Sequence, residues 1–318
     1  MGMEDQFMQK YKHWWILLGI GLVVITALLV RKTRHNTYEI YEPITAAPSD
    51  CRGDLSFAVI GDFGDAGQPE ADVATLINSW DVELIVTTGD NNYPDGEAST
   101  IDRNIGQYFA KYIHPYKGEY GLGDNENRFF PVLGNHDWRE ESLQPHYDYF
   151  TLPGNERYYD FEWGPVHFFM LDSDPNEPDG RAWDSVQAAW FEGRITSVSA
   201  PWKLVFLHNP PVSSDSHHGS DPDVQWPFAK LGVDAVFAGH AHLYERLEYD
   251  GIHYYINGLG GRWKSVPAIH QFGPPLESSQ VRYNRDYGAQ LVTVDEACIN
   301  ISFYNRAGEL IDSNTVRK

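Results

Sequence analysis

Five times along this chain a short apolar run stops on a residue that can hold a cation or move a proton. Leu55 to Ile60 runs into Gly61-Asp62, and Leu84 to Thr88 into Gly89-Asp90. Phe129 to Leu133 runs into Gly134-Asn135-His136-Asp137, Leu204 to Leu207 into His208, and Ala235 to Ala238 into Gly239-His240. Short apolar runs bounded by glycine read as strands buried on both faces. Helical spacing separates several of them: Val73, Leu76, Ile77 and Trp80 share one face, and Trp183, Val186, Trp190 and Phe191 another. From Ile252 onward only strand-like runs follow, such as Leu291 to Val294 and Ile299 to Phe303. The alternation implies an α/β fold, and in open α/β sheets the carboxyl ends of the strands converge on the ligand crevice. Asp62, Asp90, Asn135, His208 and His240 are therefore expected to meet.

Charge narrows the partners. The chain carries a net charge of -21, and most of its few bases sit outside the amino end. Residues 1–34 hold five bases and two acids, which leaves 19 bases against 43 acids in the remainder. A body that acidic is a poor match for nucleic acid phosphates or an anionic lipid surface. Its two cysteines, Cys51 and Cys298, exclude a disulfide-dense miniprotein and a cysteine-built zinc module. If the strands beside them are neighbours they can form one disulfide, which implies an exported domain. Otherwise they are two buried thiols.

Trp14 to Val30 is an uncharged run of 17 residues, the lower limit for crossing a bilayer. Trp14 and Trp15 suit the interfacial belt at one end and Arg31-Lys32 mark the other. The nearest small-residue site, Ala46-Ala47, lies too far downstream for a cleaved signal peptide, and a run without a polar face is unlike a core helix. The expected organisation is a short tail (1–13), a single transmembrane anchor (14–30), a linker (31–50) and one catalytic domain (51–318). Flanking bases lean weakly toward a cytoplasmic body, whereas a disulfide would place it outside. The expectation adopted is a single-pass membrane protein with an extracytoplasmic catalytic domain.

Taken singly, each strand-end residue has a bland explanation as a turn, a cap or a packed ring. Together they form a mixed oxygen and nitrogen donor set, without the thiolates of structural zinc sites and too rich in imidazole for calcium or magnesium. Such a set suits a two-metal hydrolytic centre, whose ions about 4 Å apart clamp the attacking and leaving oxygens of a phosphoryl group.

Gly61-Asp62-Phe63-Gly64, Gly89-Asp90-Asn91-Asn92-Tyr93, Gly134-Asn135-His136-Asp137, Leu207-His208 and Gly239-His240-Ala241-His242 resemble the five ordered blocks of the purple acid phosphatases. These enzymes belong to the calcineurin-like metallophosphoesterases. The resemblance implies two packed mixed β-sheets flanked by helices. Most of that superfamily carries Asp-x-His in the first block, where this chain has Gly64. Tyr93 stands where the purple enzymes place a tyrosinate ligand, and a phenol of pKa about 10 needs an ion as acidic as Fe(III) to deprotonate it. By resemblance, Asp62, Asp90, Tyr93 and His242 hold Fe(III). Asp90 then bridges to a divalent ion (Fe, Zn or Mn) on Asn135, His208 and His240.

The implied activity is an acid phosphatase that hydrolyses small phosphate monoesters through attack by a metal-bound hydroxide. His136 is the candidate for binding phosphate or protonating the departing oxygen, with Asp137 orienting its ring. His217 and His218 are candidates for facing the substrate, and His218 for a catalytic role. Two readings compete: a phosphodiesterase or nucleotide pyrophosphatase on the same centre, and a non-catalytic membrane-tethered binding domain. Chain length resembles the small tartrate-resistant type, while Pro210-Pro211 and Tyr244-Glu245-Arg246 look plant-like or bacterial. Asp172 ends another strand at the same rim with no ligand role assigned.

Overall fold

The computed structural model describes residue 51 and residues 53–139, 142–264 and 267–318. The tail, anchor and linker expected over 1–50 lie outside the described residues. Among the described residues no helix is long and apolar enough to cross a membrane.

Two mixed sheets form the body. The first has six strands in the order β13-β12-β11-β1-β2-β3: β1 is Leu55–Ile60, β2 Leu84–Thr87, β3 Phe129–Phe130, β11 Gly288–Val294, β12 Cys298–Asn305 and β13 Leu310–Arg317. The second has seven, β10-β8-β9-β7-β6-β5-β4: β4 is Tyr159–Trp163, β5 Val166–Met170, β6 Trp202–Phe206, β7 Ala235–Ala238, β8 Tyr244–Tyr249, β9 Ile252–Asn257 and β10 Ser279–Tyr283. Strands β1, β2 and β3 run parallel, as do β5, β6, β7 and β9, and the remaining pairs are antiparallel. The carboxyl ends of five parallel strands thus carry the five motifs.

Period-two alternation explains why these strands are apolar throughout. In β5, β6 and β7, Phe168, Leu204, Phe206, Ala235 and Phe237 enter the core between the sheets. Their neighbours Phe169, Val205, Val236 and Ala238 face a second core on the opposite side. Phe57 of β1 reaches across the first core to Phe168, with ring centres 5.2 Å apart.

Helix α1 (Gln68–Ser79) buries Val73, Ala74 and Ile77, close to the expected face. The helical stretch 98–112 (α2) follows β2, and α3 is Gln144–Tyr149. Helix α4 (Val186–Ser197) departs from expectation: Ala188, Phe191 and Ile195 are buried, while Val186 is exposed and Trp183 precedes the helix. Ser185 caps it by accepting the Ala188 N–H at 3.1 Å, so the helical face begins later than the apolar spacing suggests.

Cys51 and Cys298 are bonded, with Cα atoms 5.9 Å apart. Their strands are not neighbours, because β11 lies between β1 and β12. The bond forms because the segment before β1 crosses the end of β11. There a Cβ on Gly53 would lie 2.8 Å from the Val294 nitrogen.

Two stability predictions follow from this packing. Replacing both cysteines by serine releases a crosslink spanning 247 residues, and should lower the unfolding free energy by about 2–5 kcal/mol in urea. The second concerns His146, buried 5.1 Å from the Phe150 ring and pushed by burial down to about 4. The unfolded chain takes up that proton first, so the contribution of the neutral ring is complete above pH about 6.5 and falls as pH drops to about 4. The total loss is about 3 kcal/mol, and the urea midpoint of His146→Phe should vary less across that window.

Candidate metal centre

Each motif leaves its strand by a tight turn. Asp62, Asp90 and His240 adopt φ values of 55°, 53° and 65°, a left-handed backbone that is uncommon for non-glycine residues and that Asp and His tolerate better than most. Hydrogen bonds hold these turns: the His240 N–H donates to Asp62 Oδ2 and the His136 N–H to Asp90 Oδ1, both at 2.8 Å. Glycine at two positions is a matter of space. A Cβ on Gly64 would fall 1.7 Å from the Asn91 carbonyl oxygen, which explains why no side chain stands there. One on Gly239 would meet Asp62 Oδ2 at 2.6 Å.

All seven candidate ligands converge in two linked groups. Tyr93 donates its O–H to Asp90 Oδ2 at 2.6 Å and lies 3.4 Å from Asp62 Oδ1, which is 3.3 Å from His242 Nε2. On the other side, Asp90 Oδ1 is 3.4 Å from His208 Nε2. That nitrogen lies 3.2 Å from Asn135 Oδ1 and 3.1 Å from His240 Nδ1. Asp90 belongs to both groups.

The donor chemistry fits cations. His208 Nδ1 faces the Thr88 carbonyl at 2.8 Å and His242 Nδ1 the Ala268 carbonyl at 3.1 Å. Each of those nitrogens carries the ring hydrogen, so in the neutral ring each Nε2 presents a lone pair inward. Those lone pairs meet carboxylate and amide oxygens, which are acceptors as well, and a cation satisfies acceptors that face one another. Asp62, Asp90 and His208 also place one ligand atom each within 4.8 Å of one another.

Protein groups alone already polarise the site. Burial opposes ionisation of Asp90, but His208, His136 and the Tyr93 hydroxyl together hold it well below the usual carboxylate range. Burial also opposes charge on His208 and His242, yet Asp90 and Asp62 raise the first and Asp62 the second. Tyr93 is pushed up by burial and by the Asp90 and Asp62 charges, with Arg262 opposing. A bound cation reverses the logic for the phenol.

Above the ligands lies a cavity of about 180 Å³, lined by His136, His217 and His218 among others. The His136 ring packs 4.3 Å from Tyr93, and its Nδ1 faces the Pro94 carbonyl at 2.5 Å. His218 stacks 3.7 Å from His240, and His217 lies 4.4 Å from His218. Both members of the histidine pair therefore reach the pocket.

Asp137 sits differently from its expected place. Its carboxyl accepts N–H groups from Asn91, Asn92 and Gly134 and the Asn91 side-chain amide, so it braces the turns under the ligands. The His136 ring is oriented by Pro94 instead. Burial and the Asp90 charge raise Asp137 to about 7. Asp172 accepts the Trp138 indole N–H at 2.9 Å, outside the ligand cluster.

Three further charged or ionisable residues line the pocket unannounced by the strand-end pattern. Arg139 follows the third motif, while Arg262 and His270 come from the loop between β9 and β10. Arg262 lies 4.0 Å over the Tyr93 ring and pairs with Asp65 at 3.1 Å. The one signal for this loop was glycine at 258, 260 and 261, and a Cβ on Gly258 would lie 3.0 Å from Asp62 Oδ2.

The sequence profile of the calcineurin-like phosphoesterases matches residues 55–244. Purple acid phosphatase 22 of Arabidopsis thaliana is 29% identical over 211 residues, 61% of this chain and 45% of that protein. Purple acid phosphatase 17 of the same plant is 27% identical over 333 residues, 92% of each chain. This chain spans about half the length of purple acid phosphatases 22 and 21. Among solved structures, purple acid phosphatase PPD1 of yellow lupin superposes with a TM-score of 0.67 at 18% identity, over 83% of this chain and 53% of that one. GAP50, described as the anchor in the inner membrane complex of Plasmodium, gives 0.64 at 18% identity, over 83% and 88%.

Because four hydrogen bonds end on Asp137, Asp137→Ala should strip partners from buried N–H groups at about 1–3 kcal/mol each. The expected result is a drop of several degrees in Tm by calorimetry.

Proposed function

The chain belongs to the calcineurin-like phosphoesterase family, and on that premise we propose that it is a binuclear-metal acid phosphatase acting on small phosphate monoesters. Fe(III) would be held by Asp62, Asp90, Tyr93 and His242, and a divalent Fe, Zn or Mn ion by Asp90, Asn135, His208 and His240. The observation that carries this reading is the sharing of Asp90 between two donor groups, one of which contains a buried phenol. Bound there, the two ions would supply the charge that polarises the phosphoryl group and acidifies an attacking water.

The chain's own residues do the rest. His136 gives its Nδ1–H to Pro94, which leaves Nε2 for the pocket. Burial lowers its pKa, with the Asp90 charge opposing, so the imidazolium that would donate the Nε2 proton to the departing oxygen as the phosphorus–oxygen bond to the alcohol breaks is favoured at acidic pH. His217 and His218 line the same pocket and would face the phosphate oxygens, and the His218 ring lies 3.7 Å from the ligand candidate His240. Five of the seven ligand candidates, Asp62, Asp90, Tyr93, His208 and His242, are at most 7% exposed, which limits competing water.

The uncharged run at 14–30 supports membrane anchoring. The Cys51–Cys298 bond supports an extracytoplasmic body, since disulfides persist in oxidising compartments.

The visible spectrum tests the centre. A broad purple band in the native protein that vanishes in Tyr93→Phe is expected. A colourless, fully metallated and active protein would overturn the iron assignment and leave a divalent metallophosphoesterase. In parallel, p-nitrophenyl phosphate should be turned over faster than its bis ester. His136→Ala should lower kcat about 10²–10⁴-fold, and unchanged activity in both His136→Ala and Asp90→Ala would sink the site assignment.

A further inference from the structure

Two loops distant in sequence close over the pocket, and one buried pair joins them. Asp215 lies in the loop after β6, and His270 in the loop between β9 and β10; both are buried. The Asp215 carboxylate accepts the N–H of His217 at 3.2 Å and that of His218 at 3.0 Å, so it folds the histidine turn around itself. The same carboxylate faces His270 Nδ1 at 3.0 Å. Backbone contacts reinforce the junction. Asp215 and Phe272 form an isolated antiparallel bridge, the Ser216 N–H donates to the Gln271 carbonyl at 3.0 Å, and the Gly273 N–H to the Ser214 carbonyl at 2.8 Å.

His270 also grips His242. Its N–H donates to the His242 carbonyl at 2.9 Å, and the His242 N–H lies 3.1 Å from His270 Nδ1. The two rings stack at 4.4 Å and are 7° from parallel. With the Ala268 carbonyl holding His242 Nδ1, this loop fixes the rotation that aims His242 Nε2 at Asp62. Beneath both loops, Glu245 accepts hydrogen bonds from Ser213, Ser214 and Ser279, which leaves the junction little freedom.

We infer that the Asp215–His270 pair is a positioning device that sets the substrate-facing His217–His218 turn in register with His242. The inference rests on the proposed phosphatase reading. His217 and His218 are on an exposed turn, and an unsupported turn would spread its rings over many orientations. Holding both N–H groups on one buried carboxylate removes that freedom before substrate arrives, which favours binding rather than the chemical step.

Asp215→Asn tests it. The amide nitrogen must face an N–H or the imidazole, so the turn loosens while side-chain volume is kept. The full-length protein should then show a KM for p-nitrophenyl phosphate raised about tenfold, the cost of having to order two side chains on binding. The inhibition constant of inorganic phosphate should rise in parallel, with kcat within about twofold and bound metal per chain equal to the parent. Should that variant fail to fold, His270→Phe keeps the ring against His242 and removes the nitrogen that faces both Asp215 and the His242 N–H, and it should give the same rise in KM at parent-like bound metal per chain. Parent-like KM and phosphate inhibition in a folded variant overturn the inference. So does a rise in KM that only tracks lost metal, which marks a purely structural pair. A parent protein that binds no metal and hydrolyses no p-nitrophenyl phosphate overturns the phosphatase reading instead.

Discussion

Asp90 is the residue on which the site depends. One carboxylate accepts the Tyr93 hydroxyl, accepts the His136 backbone N–H and faces His208, while its own backbone sits in the left-handed region. A buried carboxylate is unstable without compensating charge or hydrogen bonds. The surrounding turns supply those bonds, and they are the same turns that carry the other candidate ligands. Binding chemistry and local folding are therefore the same interaction, and the backbone strain is held by the network it makes possible.

The arrangement separates two electrostatic scales. Over the whole chain the net charge is -21, yet the pocket is walled by imidazoles with Arg139 and Arg262 at its edge. Local groups a few ångströms away outweigh a diffuse surface charge screened over about 10 Å. Much of the acidity is also engaged elsewhere. In the acidic segment after β5, Glu177 and Asp179 pair with Arg157, while Arg181 pairs with Asp221 and Asp223. That segment is stitched to its surroundings and takes no part in the donor cluster.

Rigidity is layered outward from the ligands. Asp137 braces the turns of the second and third motifs, Pro94 orients His136, and Glu70 accepts the N–H groups of Asp65 and Ala66. Asp65 in turn holds Arg262 over the Tyr93 ring. Each step replaces solvent contacts of a buried polar group by fixed partners, the condition for a preorganised site.

The sequence by itself determined the strand ends. Period-two burial makes the central strands apolar on both faces, and parallel pairing gathers the carboxyl ends within each sheet, Asp62, Asp90 and Asn135 on the first and His208 and His240 on the second; the packing of the two sheets then brings the two sets together. The short spacing within motifs likewise brought in Tyr93, His136 and His242, and the resemblance carried the two-sheet architecture. Tertiary structure decided whatever depends on loops without periodicity. Sequence spacing could not show that Asp137 serves backbone N–H groups and not the His136 ring, because both lie within its reach. Nor could it place Arg262, Asp215 and His270, which act from loops closed by long-range pairing. Cys51 and Cys298 make the same point: they bond although their strands are not adjacent, since the path of a connecting segment follows from packing and not from local pattern.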